Sequence, residues 1–389
     1  MSDKAFITPE VLKWARETAK FSIPEIAHKM KVQVSQIENW EAGVEYPTIS
    51  QAENLSKRYK RALAVFFLPE PPTDFETLRD FRRKDLQGEF STALTFILRE
   101  IQIKQSWMTE TLEEEGEVKL DFIGKFSIKN STEDVANNIK EVLGIGSFPR
   151  DRDILKSWIE KVEKKRIFVC LASQIHSHLK LDRNEVRGFA ISNKLAPFIF
   201  INSSDPKNAQ LFTLVHELAH LWINSSGVSN INSIDFRRSE KENFDDAEVF
   251  CNEVTANILM PEKLVLDEIK KNDGEVNVSE VERIAKTFQV SSFAMCVRLL
   301  NLGKIDIQKF NQIKEILEKN YNDYLKKEEK KKRQDLPVYY PVTIRRNSRS
   351  FTSYIYNMYR GGVISGSDAC GLLNMKINTI KKLGNHLQA

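Results

Sequence analysis

The stretch Leu211-Phe212-Thr213-Leu214-Val215-His216-Glu217-Leu218-Ala219-His220-Leu221-Trp222 decides how this chain is read. Its histidines stand four residues apart, so on a helix they project from one side, about one turn apart, where both imidazoles can hold a single zinc ion. Glu217, between them, can reach a water on that ion, act as general base, and later pass the proton to a leaving amine. Phe212, Leu214, Val215, Leu218, Leu221 and Trp222 make this a buried helix, and histidines buried without partners are costly. The competing reading is a surface helix that carries two histidines by coincidence. With six histidines in 389 residues, chance produces H-E-x-x-H on the order of one time in a hundred.

A catalytic zinc needs a third protein ligand and an open fourth position. No third histidine follows at close spacing, so a carboxylate from another helix is expected. The next helical stretch offers Asp245, Asp246, Glu248 and Glu253. Glu248 and Asn252 share a face at i, i+4, which favours Glu248 as the ligand and leaves Asn252 to orient a ligand or water.

These residues resemble the ImmA/IrrE family of bacterial and phage zinc metallo-endopeptidases. Phe198 to His220 follows the family's strand and F-T-x-x-H-E-x-x-H helix. Glu248-Val249-Phe250-Cys251-Asn252-Glu253 through Leu259-Met260-Pro261 follows its next helix, and Val290-Ser291-Ser292 its valine-serine element. Ala219 stands where the family often has glycine, a harmless exchange in a helix. Covering roughly residues 165–300, the resemblance implies a zincin-like metallopeptidase domain with a small β-sheet. It also implies zinc on His216, His220 and Glu248, with Glu217 catalytic. The implied substrate is a protein regulator, a repressor above all, cleaved in a stress, phage-defence or mobile-element response.

Composition sets outer limits. Hydrophobic residues make up 41% and charged residues 29%, the ordinary globular range. The longest strictly apolar run, Ala62 to Leu68, falls far short of the ~20 residues a membrane span requires, so no membrane partner is expected. Met1-Ser2-Asp3-Lys4 leads into no apolar segment of the secretory kind, and Cys170, Cys251, Cys296 and Cys370 have no paired spacing. Both point to a cytoplasmic protein.

The fold class expected is predominantly α, α+β, in four segments. Residues 1–70 form a repressor-like helix-turn-helix bundle and 71–150 a helical connection. Residues 151–325 form the peptidase domain, and 326–389 a basic linker with a small helical module. Short strands are expected at Ile167–Cys170, Gly188–Ile191 and Pro197–Ile201.

In the first segment, Ser22-Ile23-Pro24-Glu25 has capping-box spacing, Ala27 is small where two helices meet, and Ile37 anchors the second helix. With Trp40-Glu41-Ala42-Gly43 after it, the segment resembles the Xre (Cro/cI) repressor type. That resemblance places Gln33, Ser35, Gln36 and Asn39 toward the DNA major groove. Against this, Lys31 replaces the usual turn glycine, Glu38, Glu41 and Glu45 put negative charge near that face, and residues 1–70 hold ten Lys+Arg against nine Asp+Glu. The bundle then serves instead for homodimerisation or for docking a partner repressor.

Net charge is +4, unevenly spread: residues 326–389 carry 13 Lys+Arg against 4 Asp+Glu. There Tyr339, Tyr340, Arg345, Arg346, Arg349, Phe351, Tyr354, Tyr356, Tyr359 and Arg360 interleave aromatic and cationic side chains, a composition suited to single-stranded nucleic acid. The plainer reading is a small core with solvated arginines. The functional reading is a zinc endopeptidase acting on a regulator. Its competitor is a DNA-binding regulator or antitoxin-like protein with a structural or vestigial metal site. Glu217 between intact ligands favours catalysis.

Overall fold

The structure, a computed structural model, describes residues 3–72, 79–80, 90–146, 153–176, 179–229, 246–271, 276–330 and 339–387. It is mostly helical with a small mixed sheet. In chain order the strands are β1 (Arg79–Asp80), β2 (Phe168–Ala172), β3 (Gln174–His176), β4 (Leu179–Lys180), β5 (Gly188–Ile191), β6 (Phe198–Asn202) and β7 (Gly227–Ser229). Three of them match the runs expected from sequence. The others are two or three residues long, too short for an alternating pattern to register.

The chain divides into two compact units. The first comprises Met1–Thr77, Gly88–Gln102 and Gln174–Leu181. It holds α1 (Pro9–Thr18), α2 (Ile23–Met30), α3 (Val34–Glu41), α4 (Ile49–Tyr59) and a 3-10 turn, Leu63–Phe67. It also takes α5 (Thr92–Glu114) as far as Gln102, and β3 pairs antiparallel with β4. Local chemistry explains the breaks. Ser22 and Glu25 close a capping box at the start of α2, and Thr48 and Gln51 close another at α4. Leu12, Ala15, Ile26, Ile37, Leu55, Tyr59 and Phe66 fill the core between the helices.

One sequence expectation is corrected here. Glu41 does not add charge to the outer face of α3. Its carboxylate accepts from Arg16 Nε at 2.7 Å and from Nη2 at 2.9 Å, and the two side chains are only 9% and 6% exposed. Geometry of this bidentate kind suits guanidinium and carboxylate, and it cancels both charges inside the bundle.

The second unit comprises Leu78–Gln87, Ile103–Ser173 and Asp182–Ala389. Its sheet runs β1-β7-β5-β6-β2. β5 pairs antiparallel with both β6 and β7, whereas β6–β2 and β7–β1 are parallel. Register brings Phe168 opposite Phe198 and Phe189 opposite Phe200, with ring centroids 4.7 and 4.9 Å apart. β2, β5 and β6 are buried on both faces, hence their continuous apolar runs.

Around the sheet lie α6 (Thr132–Leu143), α7 (Ile154–Glu163), α8 (Lys207–Trp222), α9 (Asp246–Leu259) and α10 (Glu262–Lys270). They are followed by α11 (Val278–Phe288), α12 (Ser292–Asn301) and α13 (Ile307–Lys330). α8 packs on β5 and β6, and α9 packs on both α8 and α6. Every residue of α8 from Gln210 to Trp222 is buried. Its far end is tied down by Gly124 N–H donating to Leu221 O at 3.0 Å, Phe126 N–H to Trp222 O at 3.1 Å, and Trp222 Nε1 to Asn138 at 3.0 Å.

The last helices are α14 (Tyr339–Arg346), α15 (Arg349–Arg360), α16 (Gly366–Leu373), α17 (Ile377–Ile380) and α18 (Gly384–Leu387). α14 and α15 pack against β2. Glu163, in the last turn of α7, accepts from Ser348 Oγ at 2.6 Å and from the backbone N–H groups of Arg349 at 3.0 Å and Ser350 at 3.3 Å, so it caps the start of α15. Phe351 meets the rings of Trp107, Phe168 and Phe198 edge-on. Lys104, 2% exposed, donates to Asn347 at 2.6 Å. No described helix is long and apolar enough to cross a membrane.

Candidate metal centre

His216 and His220 sit in the last two turns of α8, and Glu248 sits in the first turn of α9. Because α8 is buried on every side, packing positions it, and the two imidazoles then point at α9. His216 Nε2 lies 3.0 Å from His220 Nε2 and 3.2 Å from Glu248 Oε2, and His220 Nε2 lies 3.0 Å from Glu248 Oε1. All three residues are buried, at 0%, 1% and 5% exposure.

Donor chemistry and spacing both fit a zinc ion. Two imidazole nitrogens and a carboxylate are a common catalytic zinc set, and tetrahedral bonds of about 2.1 Å hold donors roughly 3.4 Å apart. Three convergent polar groups deep in an apolar core are otherwise expensive. Burial alone opposes the charged form of each. At Glu248 it is outweighed by the two imidazoles, which hold the carboxyl at about 2. At His216 burial prevails, and its pKa falls below the usual histidine value, which favours the neutral, ligating form.

Glu217 is fully buried one residue along from His216. Room for it comes from β5. A Cβ built on Gly188 would stand 2.5 Å from Thr213 Cγ2, 2.9 Å from Phe200 O and 3.2 Å from Glu217 Oε1. Gly188 is thus a site residue that sequence reading missed, because the glycine opens a strand whose place beside α8 is set by tertiary packing. Asn252, 7% exposed, lies one turn after Glu248 on α9, and its Oδ1 and His216 Nδ1 are buried with no hydrogen-bond partner among the described residues. Beside it Cys251 is fully buried, and burial pushes its thiol up, so it stays protonated.

The remaining sequence candidates are elsewhere. Asp246 and Glu253 are exposed on α9, away from the donors, and Asp245 lies outside the described residues. Gln33, Ser35, Gln36 and Asn39 lie on or just before α3 in the first unit. Gln33 and Ser35 are exposed, while Gln36 spends its carbonyl on Gln33 N–H at 3.3 Å and Asn39 is half-buried. A further residue unnoticed in sequence is Arg298, buried on α12. It donates to Met260 O at 3.1 Å and Asn257 at 2.9 Å, and so fixes the end of the helix that carries Glu248.

Residues 164–300 match the Peptidase_M78 family model, the IrrE N-terminal-like domain. The matched span contains β2, β5, β6, α8 to α11 and α12 as far as Leu300, hence the whole donor cluster. The match points to a metallopeptidase of that type. No curated protein matches the chain.

Proposed function

We propose that this chain is a zinc-dependent endopeptidase whose substrate is a protein regulator, a transcriptional repressor in particular. The observation that carries the reading is the convergence of His216, His220 and Glu248 beside a fully buried Glu217. A structural metal site needs no such carboxylate beside its ligands. A zinc ion held by the three donors would supply Lewis acidity to the attacking water and to the scissile carbonyl. Glu217 takes the proton from that water and returns it to the leaving amine nitrogen. Burial of the site excludes bulk water and so strengthens each electrostatic contact. Gly188 keeps β5 clear of the base, and Asn252, one turn after Glu248 on α9, is positioned to orient a ligand or water.

The regulator as substrate follows from the resemblance in sequence, and so does a role in stress or in phage and mobile-element control. Metal analysis of the purified chain tests the site first: about one zinc per chain is expected, and His216→Ala with His220→Ala should remove it. Unchanged zinc in the double variant overturns the ligand assignment. The zinc-loaded chain should then cleave a regulator encoded beside it, and failure to cleave any such regulator overturns the substrate.

A further inference from the structure

One backbone turn recurs between helices of this chain: it follows α1 at Lys20 and α4 at Lys60, and in three further places it joins two α-helices that pack together. α2, α11 and α16 each end on a left-handed residue: Lys31 (φ 57°, ψ 44°), Gln289 (φ 53°, ψ 35°) and Asn374 (φ 50°, ψ 45°). The next N–H bonds back five residues: Val32 to Ala27 O at 3.1 Å, Val290 to Ala285 O at 3.1 Å, Met375 to Cys370 O at 3.2 Å. One residue further on, an extended N-cap starts the second helix: Gln33 (φ −73°, ψ 150°), Ser291 (φ −72°, ψ 148°) and Lys376 (φ −78°, ψ 147°). Buried anchors recur at matching positions, Ile37 and Trp40 in the first, Ile380 and Leu383 in the last. All three pack their two helices together across this turn, as a helix-turn-helix unit does.

Their second helices differ in what they show to solvent. In α12 the run Ala294–Leu299 is buried, so that unit belongs to the core. α3 exposes Gln33, Ser35 and Glu38, with no lysine or arginine from Gln33 to Ala42. Around α17, Lys376, Asn378, Lys381 and Lys382 are exposed while Ile380 and Leu383 face inward, and no acid occurs from Met375 to Leu387. In residues 339–387 the one acidic side chain, Asp368, is held by Ser365 in a capping box at the start of α16. Cationic side chains on the exposed side of a second helix complement duplex phosphates, and in this motif that helix is the one that enters the major groove.

Three aromatics of the same module are taken up by the fold. Phe351 is fully buried, Tyr354 donates to Glu115 at 2.6 Å, and Tyr340 stacks on His386 at 4.0 Å. Rings engaged in the fold are not stacking platforms for bases. We propose that the α16–α17 unit is a duplex-DNA-binding surface, with Lys376, Lys381 and Lys382 on phosphates and Asn378 toward base edges. This inference does not rest on the peptidase reading.

The test compares the full-length, zinc-loaded chain with a variant combining Lys376→Ala, Lys381→Ala and Lys382→Ala. Fluorescence anisotropy reads their binding to a labelled mixed-sequence duplex of about 30 bp, between about 50 and 200 mM salt. The slope of log K against log salt should become shallower by roughly two to three, and affinity at the lowest salt should fall at least about tenfold. Circular dichroism and zinc content should match the parent, because the three lysines are exposed. Gln33→Ala with Gln36→Ala should leave the slope unchanged. An unaltered slope in the lysine variant overturns the proposal. So does tighter binding of a single strand of equal length, or absence of duplex binding by the parent at low salt.

Discussion

α8 and the α17 region both present polar side chains from a helix, but α8 encloses them and α17 displays them. His216, Glu217 and His220 have almost no contact with solvent, so their neighbours participate in their geometry: Gly188 by lacking a side chain, Asn252 and Cys251 by filling the buried face of α9, Arg298 by holding its end. Lys376, Lys381 and Lys382 have few neighbours to satisfy. Chemistry that must exclude water is therefore coupled to the fold, whereas chemistry that addresses a large polyanion can be altered with the fold intact. The first unit holds an intermediate case, the Arg16–Glu41 pair, polar but withdrawn from solvent.

If burial sets the penalty, four substitutions should rank by it. The largest effect is expected for Glu217→Gln, which removes the proton acceptor at constant size. Cleavage should fall by about a thousandfold, some 4 kcal/mol in the barrier, with zinc content unchanged. Cleavage at the parent rate would break the comparison at its strongest point. Next comes Glu41→Ala, which leaves the Arg16 guanidinium only Phe21 O and the more exposed Glu17 as partners; denaturant unfolding should show a loss of about 3 kcal/mol. A loss below about 0.5 kcal/mol would mean that the pair behaves as an exposed one.

Gly188→Ala should cost about 2 kcal/mol, because Thr213 and the Phe200 carbonyl must shift to admit the methyl group. Activity should fall further than melting temperature, since Glu217 lies in the same contact. Parallel losses would reduce Gly188 to a packing residue. The smallest change in stability belongs to the triple lysine variant, within about 0.5 kcal/mol of the parent. A larger drop in its unfolding midpoint would show that the α17 lysines belong to the fold.

Sequence legibility follows the same division. The H-E-x-x-H helix was readable because its information is local: spacing fixes which residues share a side, and flanking apolar residues fix burial. Glu248 was readable with Asn252 through an i, i+4 relation on a second helix, although Asp246 and Glu253 on that helix offered equal chemistry and only packing separates them. Gly188 was not readable, because its meaning depends on which strand lies beside α8. Glu41 looked like surface charge because Arg16, twenty-five residues away, gives no local sign of pairing with it. In the carboxy-terminal module, the interleaved tyrosines and arginines suit base stacking, and nothing local shows that Tyr340, Phe351 and Tyr354 are engaged by the fold. The spacing of Cys370, Asn374, Ile380 and Leu383 carried the helix-turn-helix signal there, with asparagine in the left-handed place that glycine often takes.

The capping of α15 by Glu163 also dictates an order of events during synthesis. Ser348 follows Glu163 by 185 residues, so at 5–20 residues per second a ribosome delivers it roughly 10–40 s later. For that interval the nascent sheet carries Phe168 and Phe198 without the ring of Phe351 against them. The carboxy-terminal module thus arrives after the sheet it covers, and the sheet passes through a sticky, incomplete stage on every round of translation. A chain cut short before Phe351 would be fixed at that stage, dependent on chaperones and prone to clump with its siblings.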